Sequence, residues 1–181
     1  MICILDCHYP GEPRPENPHA DLEVALGRRF NVDLLMSMLA MDVDAARYTV
    51  DHHRPQSVGA SMALKVGGVE QSAASWVVET HCNFCDDRNV RGWTVLHGPG
   101  GEELAEAIAR HWEQVVVEYG LGRRCRVRRD DSLYLSRHLR GFVLPELGNL
   151  ESAKIRQALI KRGPVWHRLV NGITAAALEV L

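Results

Sequence analysis

A chain of 181 residues is long enough for one α/β domain that buries most of its unfolded surface, and too short for two ordinary enzyme domains with a linker. Hydrophobic residues at 46% and charged residues at 24% exclude intrinsic disorder and fibrous repeats. Lys and Arg number 21 against 23 Asp and Glu, a formal net charge of -2, so no global cationic field exists to hold a polyanion and nucleic-acid binding is disfavoured.

No uninterrupted apolar run approaches the ~18 residues of a membrane span. The opening Met1-Ile2-Cys3-Ile4-Leu5 reaches Asp6 before a signal-peptide core forms. The expectation is a chain made in the cytoplasm, without a leader and without membrane insertion. The cysteines Cys3, Cys7, Cys82, Cys85 and Cys125 are odd in number and scattered, unlike a secreted disulfide framework.

Taken in chain order, Ile2 to Leu5 reads as a buried strand ending in a Pro-rich loop. Leu22, Leu26, Phe30, Leu34, Met38 and Met41 recur at helical spacing, which predicts a helix over 20–40. Ala46 to Val50 reads as a strand, and Ser57 to Ala74 as one or two short helices interrupted by Gly67-Gly68. Trp76-Val77-Val78 is an apolar run ending at Glu79-Thr80-His81, and Arg91 to Leu96 a strand closed by Gly98-Pro99-Gly100.

Leu104, Ile108, Trp112 and Val115 or Val116 form the next helical stripe, stopped by Gly120 and Gly122. Short strands are expected at Cys125 to Val127 and Phe142 to Leu144, then a helix from Glu151 and a last one after Gly163-Pro164. Strands alternating with helices predict a single-domain α/β fold, a mostly parallel twisted sheet with helices on both faces. In such sheets ligands bind beyond the carboxyl ends of the strands.

Three polar residues follow apolar runs at similar offsets: His8 after Leu5, His81 after Val78, and Glu146 after Leu144. Parallel strands would deliver all three to one rim, and Glu23 in the first turn of the first helix can turn toward it. Two imidazoles and a carboxylate suit a hydrolytic zinc site with one position left for water, and a second carboxylate can serve as base. The alternative is that His8 and His81 merely cap strand ends with satisfied hydrogen bonds.

Asp6-Cys7-His8-Tyr9-Pro10-Gly11, Glu23, Glu79-Thr80-His81-Cys82-Asn83 and Leu144-Pro145-Glu146-Leu147-Gly148-Asn149 occur in one order. His8 and His81 are separated by 73 positions and His81 and Glu146 by 65. Together, with Arg54, Gly92 and Leu133-Tyr134-Leu135 as smaller echoes, these segments resemble the zinc-dependent N-acetylmuramoyl-L-alanine amidases, in the branch that includes bacteriophage lysins.

The resemblance implies that His8, Glu23 and His81 bind Zn2+ and that Glu146 is the acid/base that activates water. It implies cleavage of the amide between N-acetylmuramic acid and L-alanine in peptidoglycan, so the partners are the stem peptide and muramic acid of the bacterial cell wall. Asn83, Arg54 and Trp93 are the expected substrate contacts. The likeness spans residues 1–181 and leaves no stretch for a separate wall-binding module. Glu12 and Glu16 share the Glu23 segment and remain alternative carboxylate ligands. A wall-binding or regulatory protein of the same fold, or an amidohydrolase of small N-acyl amino acids, are the other readings.

Cys82-x-x-Cys85 reads as half a structural zinc site, a redox pair, or two reduced cysteines packed in a loop. Arg123, Arg124, Arg126, Arg128 and Arg129 crowd a short stretch before Asp130-Asp131, either a solvated edge or a contact for anionic cell-wall polymer. The four tryptophans fall in strand or helix stripes and read as core, with Trp93, close after the His81 loop, also placed to border a groove.

Overall fold

The first apolar run forms β1 (Ile2–Asp6), buried along its whole length. The computed structural model describes residues 1–7, 18–50, 57–83 and 92–181. After β1 come α1 (Ala20–Ala40), β2 (Ala45–Tyr48), α2 (Val58–Ser72), β3 (Trp76–Asn83) and β4 (Trp93–His97). The chain continues through α3 (Glu102–Glu118), β5 (Cys125–Arg129), α4 (Tyr134–His138), β6 (Phe142–Asn149), α5 (Ala153–Ile160) and α6 (Pro164–Val180).

The six strands form one sheet in the order β2-β1-β3-β6-β4-β5. All neighbours are parallel except β4 and β6, which run antiparallel. Strand alternation sorts side chains onto two faces. Ile2, Ile4, Val78, Val95, Val143 and Leu147 pack with α1, α3 and α6 in the larger core. Cys3, Leu5, Val77, Leu96, Phe142 and Leu144 face α2 and α4 in a smaller one. The mostly parallel α/β sheet with helices on both faces is thus observed.

Three expectations about elements are corrected. The run at Gly67-Gly68 does not break a helix: α2 is continuous, capped by Ser57, whose Oγ accepts from the Ala60 N–H. Its glycines serve packing, since a Cβ on Gly68 would sit 2.5 Å from the Tyr48 ring of β2. The strand at Trp76 does not end at Val78 but continues through Glu79, Thr80 and His81 to Asn83, because β1 and β6 pair with it on both sides. Likewise β6 runs past Leu144, through Pro145, to Asn149. The short helix α4 also lies where no helix was expected.

A buried lysine seats α2 on the sheet. Ser61, Lys65 and Val69 form the buried stripe of α2, and Lys65, 1% exposed, donates through Nζ to the Cys7 carbonyl at 2.6 Å. It also pairs with Glu79 on β3. Burial alone would raise the Glu79 carboxyl, but Lys65 and His81 outweigh it and hold it down at about 2.

Two opposite stability changes are expected within α2. Gly67→Ala meets nothing within 4 Å among the described residues and should stabilise the protein by about 0.5–1 kcal/mol through helix propensity. Gly68→Ala drives a Cβ into Tyr48 and should cost about 1–3 kcal/mol. Chemical denaturation of both variants decides the matter, and equal effects would contradict this packing. In the same assay Lys65→Met, which removes the ammonium facing the buried Glu79 carboxylate, should cost about 3–5 kcal/mol, with Glu79→Leu in addition recovering most of the loss.

Candidate functional site

Parallel pairing of β1, β3 and β6 brings their carboxyl-terminal ends to one rim, where the site residues gather. The end of β1 is fixed by a polar network on the α1 side. Asn31 of α1 donates through Nδ2 to the Leu5 carbonyl at 2.9 Å and to Asp6 Oδ1 at 3.0 Å. Asn31 Oδ1 accepts from the Thr80 hydroxyl at 2.6 Å, and Arg47 of β2 donates to both Asp6 oxygens. This network is satisfied and, apart from the partly exposed Arg47, buried, so it rigidifies the ends of β1, β2 and β3 together. On the opposite face, Lys65 joins Cys7 to Glu79. Both devices act within two residues of His8 or His81.

Glu23 and His81 meet. Glu23 is 2% exposed in the first turn of α1, and its Oε1 lies 3.2 Å from His81 Nδ1 and 3.4 Å from the Cys82 backbone N–H. His81 Nε2 lies 3.3 Å from Glu79 Oε2, so the ring sits between two carboxylates. Burial alone would lower the imidazole pKa, but the hydrogen bonds and charges of Glu23 and Glu79 raise it to about 10.

Glu146 is the register partner of His81 on β6, so both project from the same face. Burial pushes its carboxyl up to about 7; His81 pulls it down, while Glu23 and Glu79 add to the rise. Glu146 Oε2 is buried and has no hydrogen-bond partner among the described residues. A buried acceptor without a donor costs about 1–3 kcal/mol, and sites that bind or transfer protons are where such an atom persists.

Charge balance bears on a metal. Glu23, Glu79 and Glu146 surround one imidazole, while Lys65 neutralises one of the three carboxylates. Three carboxylates against one lysine leave excess negative charge beside His81. Carboxylate oxygens with imidazole nitrogen fit a divalent cation such as zinc, and an unpartnered carboxylate oxygen fits the base beside it. Among the described residues no group of three His, Cys, Asp or Glu side chains is placed to hold a metal ion. His8, which directly follows Cys7, lies outside the described residues, as do Glu12, Glu16, Arg54 and Cys85.

The remaining sequence expectations sort by position. Asn83 ends β3, two residues beyond His81, and its carbonyl accepts from the Leu150 N–H. Trp93 does not border a groove: it is 1% exposed on the larger-core face and packs edge-on against Trp112 at 5.7 Å. The alternation of β4 explains this, because its neighbour Thr94 pairs with Glu146 and takes the other face. Cys82 is 3% exposed on the larger-core side, and burial, reinforced by the Glu23 charge, raises its thiol above the ordinary range.

Sequence reasoning missed Lys65, Glu79, Asn31 and Arg47. Lys65 had a signal, since it lies four residues from both Ser61 and Val69 on the inward stripe of α2. Glu79 could have been found as the residue two before His81 on the same strand face.

The sequence matches no family model and no curated protein. Solved structures do match. The CwlD amidase of Clostridioides difficile, solved with the GerS lipoprotein, is similar at 18% identity with a TM-score of 0.80, covering 99% of each chain. An N-acetylmuramoyl-L-alanine amidase of Nostoc punctiforme is similar at 17% identity and TM-score 0.75, over 99% of this chain and 96% of the other. The catalytic domain of an endolysin targeting Clostridia difficile matches at 16% identity and TM-score 0.75, over 98% and 96%. From β1 to α6, the chain has the fold of the N-acetylmuramoyl-L-alanine amidases.

Proposed function

We propose that the protein is a zinc-dependent N-acetylmuramoyl-L-alanine amidase that cleaves the amide between muramic acid and L-alanine in bacterial peptidoglycan. The observation that carries this reading is the pairing of His81 with Glu146, whose buried Oε2 has no partner among the described residues, beside the Glu23 carboxylate. In this reading His8, Glu23 and His81 hold the metal, and residues 1–181 belong to one catalytic domain. The fold shared with amidases and an endolysin domain supports the substrate class.

Zinc held by these residues supplies a Lewis acid that polarises the scissile carbonyl and makes water a stronger acid. The chain's own residues perform the rest. Glu146 Oε2 accepts a proton as the water oxygen bonds to the lactyl carbonyl carbon, then returns it to the L-alanine nitrogen as the C–N bond breaks. A carboxyl lifted toward neutrality by burial is poised to take and give back one proton. Lys65 holds Glu79 and the Cys7 carbonyl, so it ties the carboxyl end of β1 to β3 two residues before His81. Asn83, at the end of β3, and Arg54 are the proposed substrate contacts. Among the described residues no helix is long and apolar enough to cross a membrane.

Purified protein loaded with zinc and incubated with muropeptides should release peptides with free L-alanine amino ends. No release across pH and divalent metals would favour a wall-binding protein of this fold. Zinc at a hundredfold excess over its dissociation constant should stabilise the wild type by about 2.7 kcal/mol, seen as a rise in Tm. His81→Ala and Glu23→Ala should each lose that rise. Glu146→Gln should keep it while kcat falls by about 10²–10⁴-fold. Normal turnover by Glu146→Gln would remove Glu146 from the reaction.

A further inference from the structure

One transverse row of side chains crosses the sheet at the level of Glu146. His81 on β3 pairs with Glu146 on β6, Glu146 with Thr94 on β4, and Thr94 with Arg126 on β5. Paired residues project from the same face, so an exposed arginine on the outermost strand shares a surface with the site. Arg128, two residues further along β5, takes the same face by strand alternation.

The arginines of β5 are not equivalent. Arg128 lies 2.8 Å from Asp130 and Arg129 lies 3.0 Å from Asp131. Arg126 has no carboxylate partner among the described residues. A solvated edge needs charge, but it does not need one arginine left unneutralised in register with a candidate catalytic group.

The spacing suits a peptide. Two strand intervals of about 4.8 Å put the Arg126 backbone about 10 Å from that of Glu146. An extended peptide advances about 3.3–3.6 Å per residue, so a carboxylate two residues beyond the cleaved bond lies about 7 Å away. A long arginine side chain leaning along the row closes the difference, and its planar fork grips a carboxylate through two parallel N–H donors.

We propose that Arg126 forms a carboxylate subsite for the peptide side of the substrate, about two residues beyond the scissile amide. The proposal rests on the amidase reading for its substrate but not for its test, which measures binding. Titrate zinc-loaded Glu146→Gln protein, calorimetrically, with N-acetylmuramoyl-L-alanyl-D-glutamate and with the same compound bearing both carboxyl groups as amides. The acid should bind about tenfold more tightly than the diamide. Adding Arg126→Gln should bring that ratio to about one, Arg126→Lys should keep part of it, and Arg128→Gln should leave it in place.

A ratio near one in the Glu146→Gln parent, a ratio that survives Arg126→Gln, or no measurable binding of either compound would each overturn the subsite. The outcomes separate the two claims. Turnover of muropeptides by wild-type protein with an acid preference independent of Arg126 sinks only the subsite. An Arg126-dependent preference in a protein that cleaves nothing sinks only the hydrolase.

Discussion

Concentrated negative charge at the end of a parallel sheet is the constraint on which this structure depends. Glu23, Glu79 and Glu146 arrive from a helix and two strands at one imidazole, and unpaired buried carboxylates are expensive. One is neutralised permanently by Lys65, from the interior of α2. What remains is excess negative charge around His81 and a buried Glu146 oxygen with no hydrogen-bond partner among the described residues, conditions a divalent cation and a transferable proton would relieve. The fold supplies the geometry and the site supplies the demand for positive charge.

Lys65 links stability to function. Its ammonium ties the Cys7 carbonyl at the end of β1 to Glu79 on β3, and these positions are adjacent to His8 and two residues before His81. On the other face, Asn31 bridges Leu5, Asp6 and Thr80. The strand ends are therefore held from both layers of helices at the carboxyl ends of β1 and β3, where the proposed metal ligands would lie. The close seat of Gly68 on Tyr48 belongs to the same arrangement, since it sets how near α2 approaches β2.

Much of this was legible in the sequence, for physical reasons that differ by element. The bounds of α1 followed from an uninterrupted apolar stripe from Leu22 to Met38, and the break before α6 from Gly163-Pro164. The meeting of Glu23 with His81 and the register of His81 with Glu146 followed from parallel strand order together with the place of Glu23 in the first turn of α1, while His8, the fourth residue expected there, lies outside the described residues. The extents of β3 and β6 were hidden, because Glu79-Thr80-His81 and Pro145-Glu146 look like strand ends until the pairing and the buried lysine that sustain them are known. Lys65 itself reads as a surface residue in a linear scan. The face taken by Trp93 depended on a register that composition does not encode.

The central claim is that a cation belongs among these carboxylates and imidazoles. X-ray absorption at the zinc edge of freshly purified protein reads the donors directly. The account predicts a shell of nitrogen and oxygen only, at about 2.0–2.1 Å, with imidazole scattering. Sulfur at about 2.3 Å, which would move the metal to Cys82 or Cys7, or stoichiometrically absent zinc that cannot be restored by addition, would contradict it.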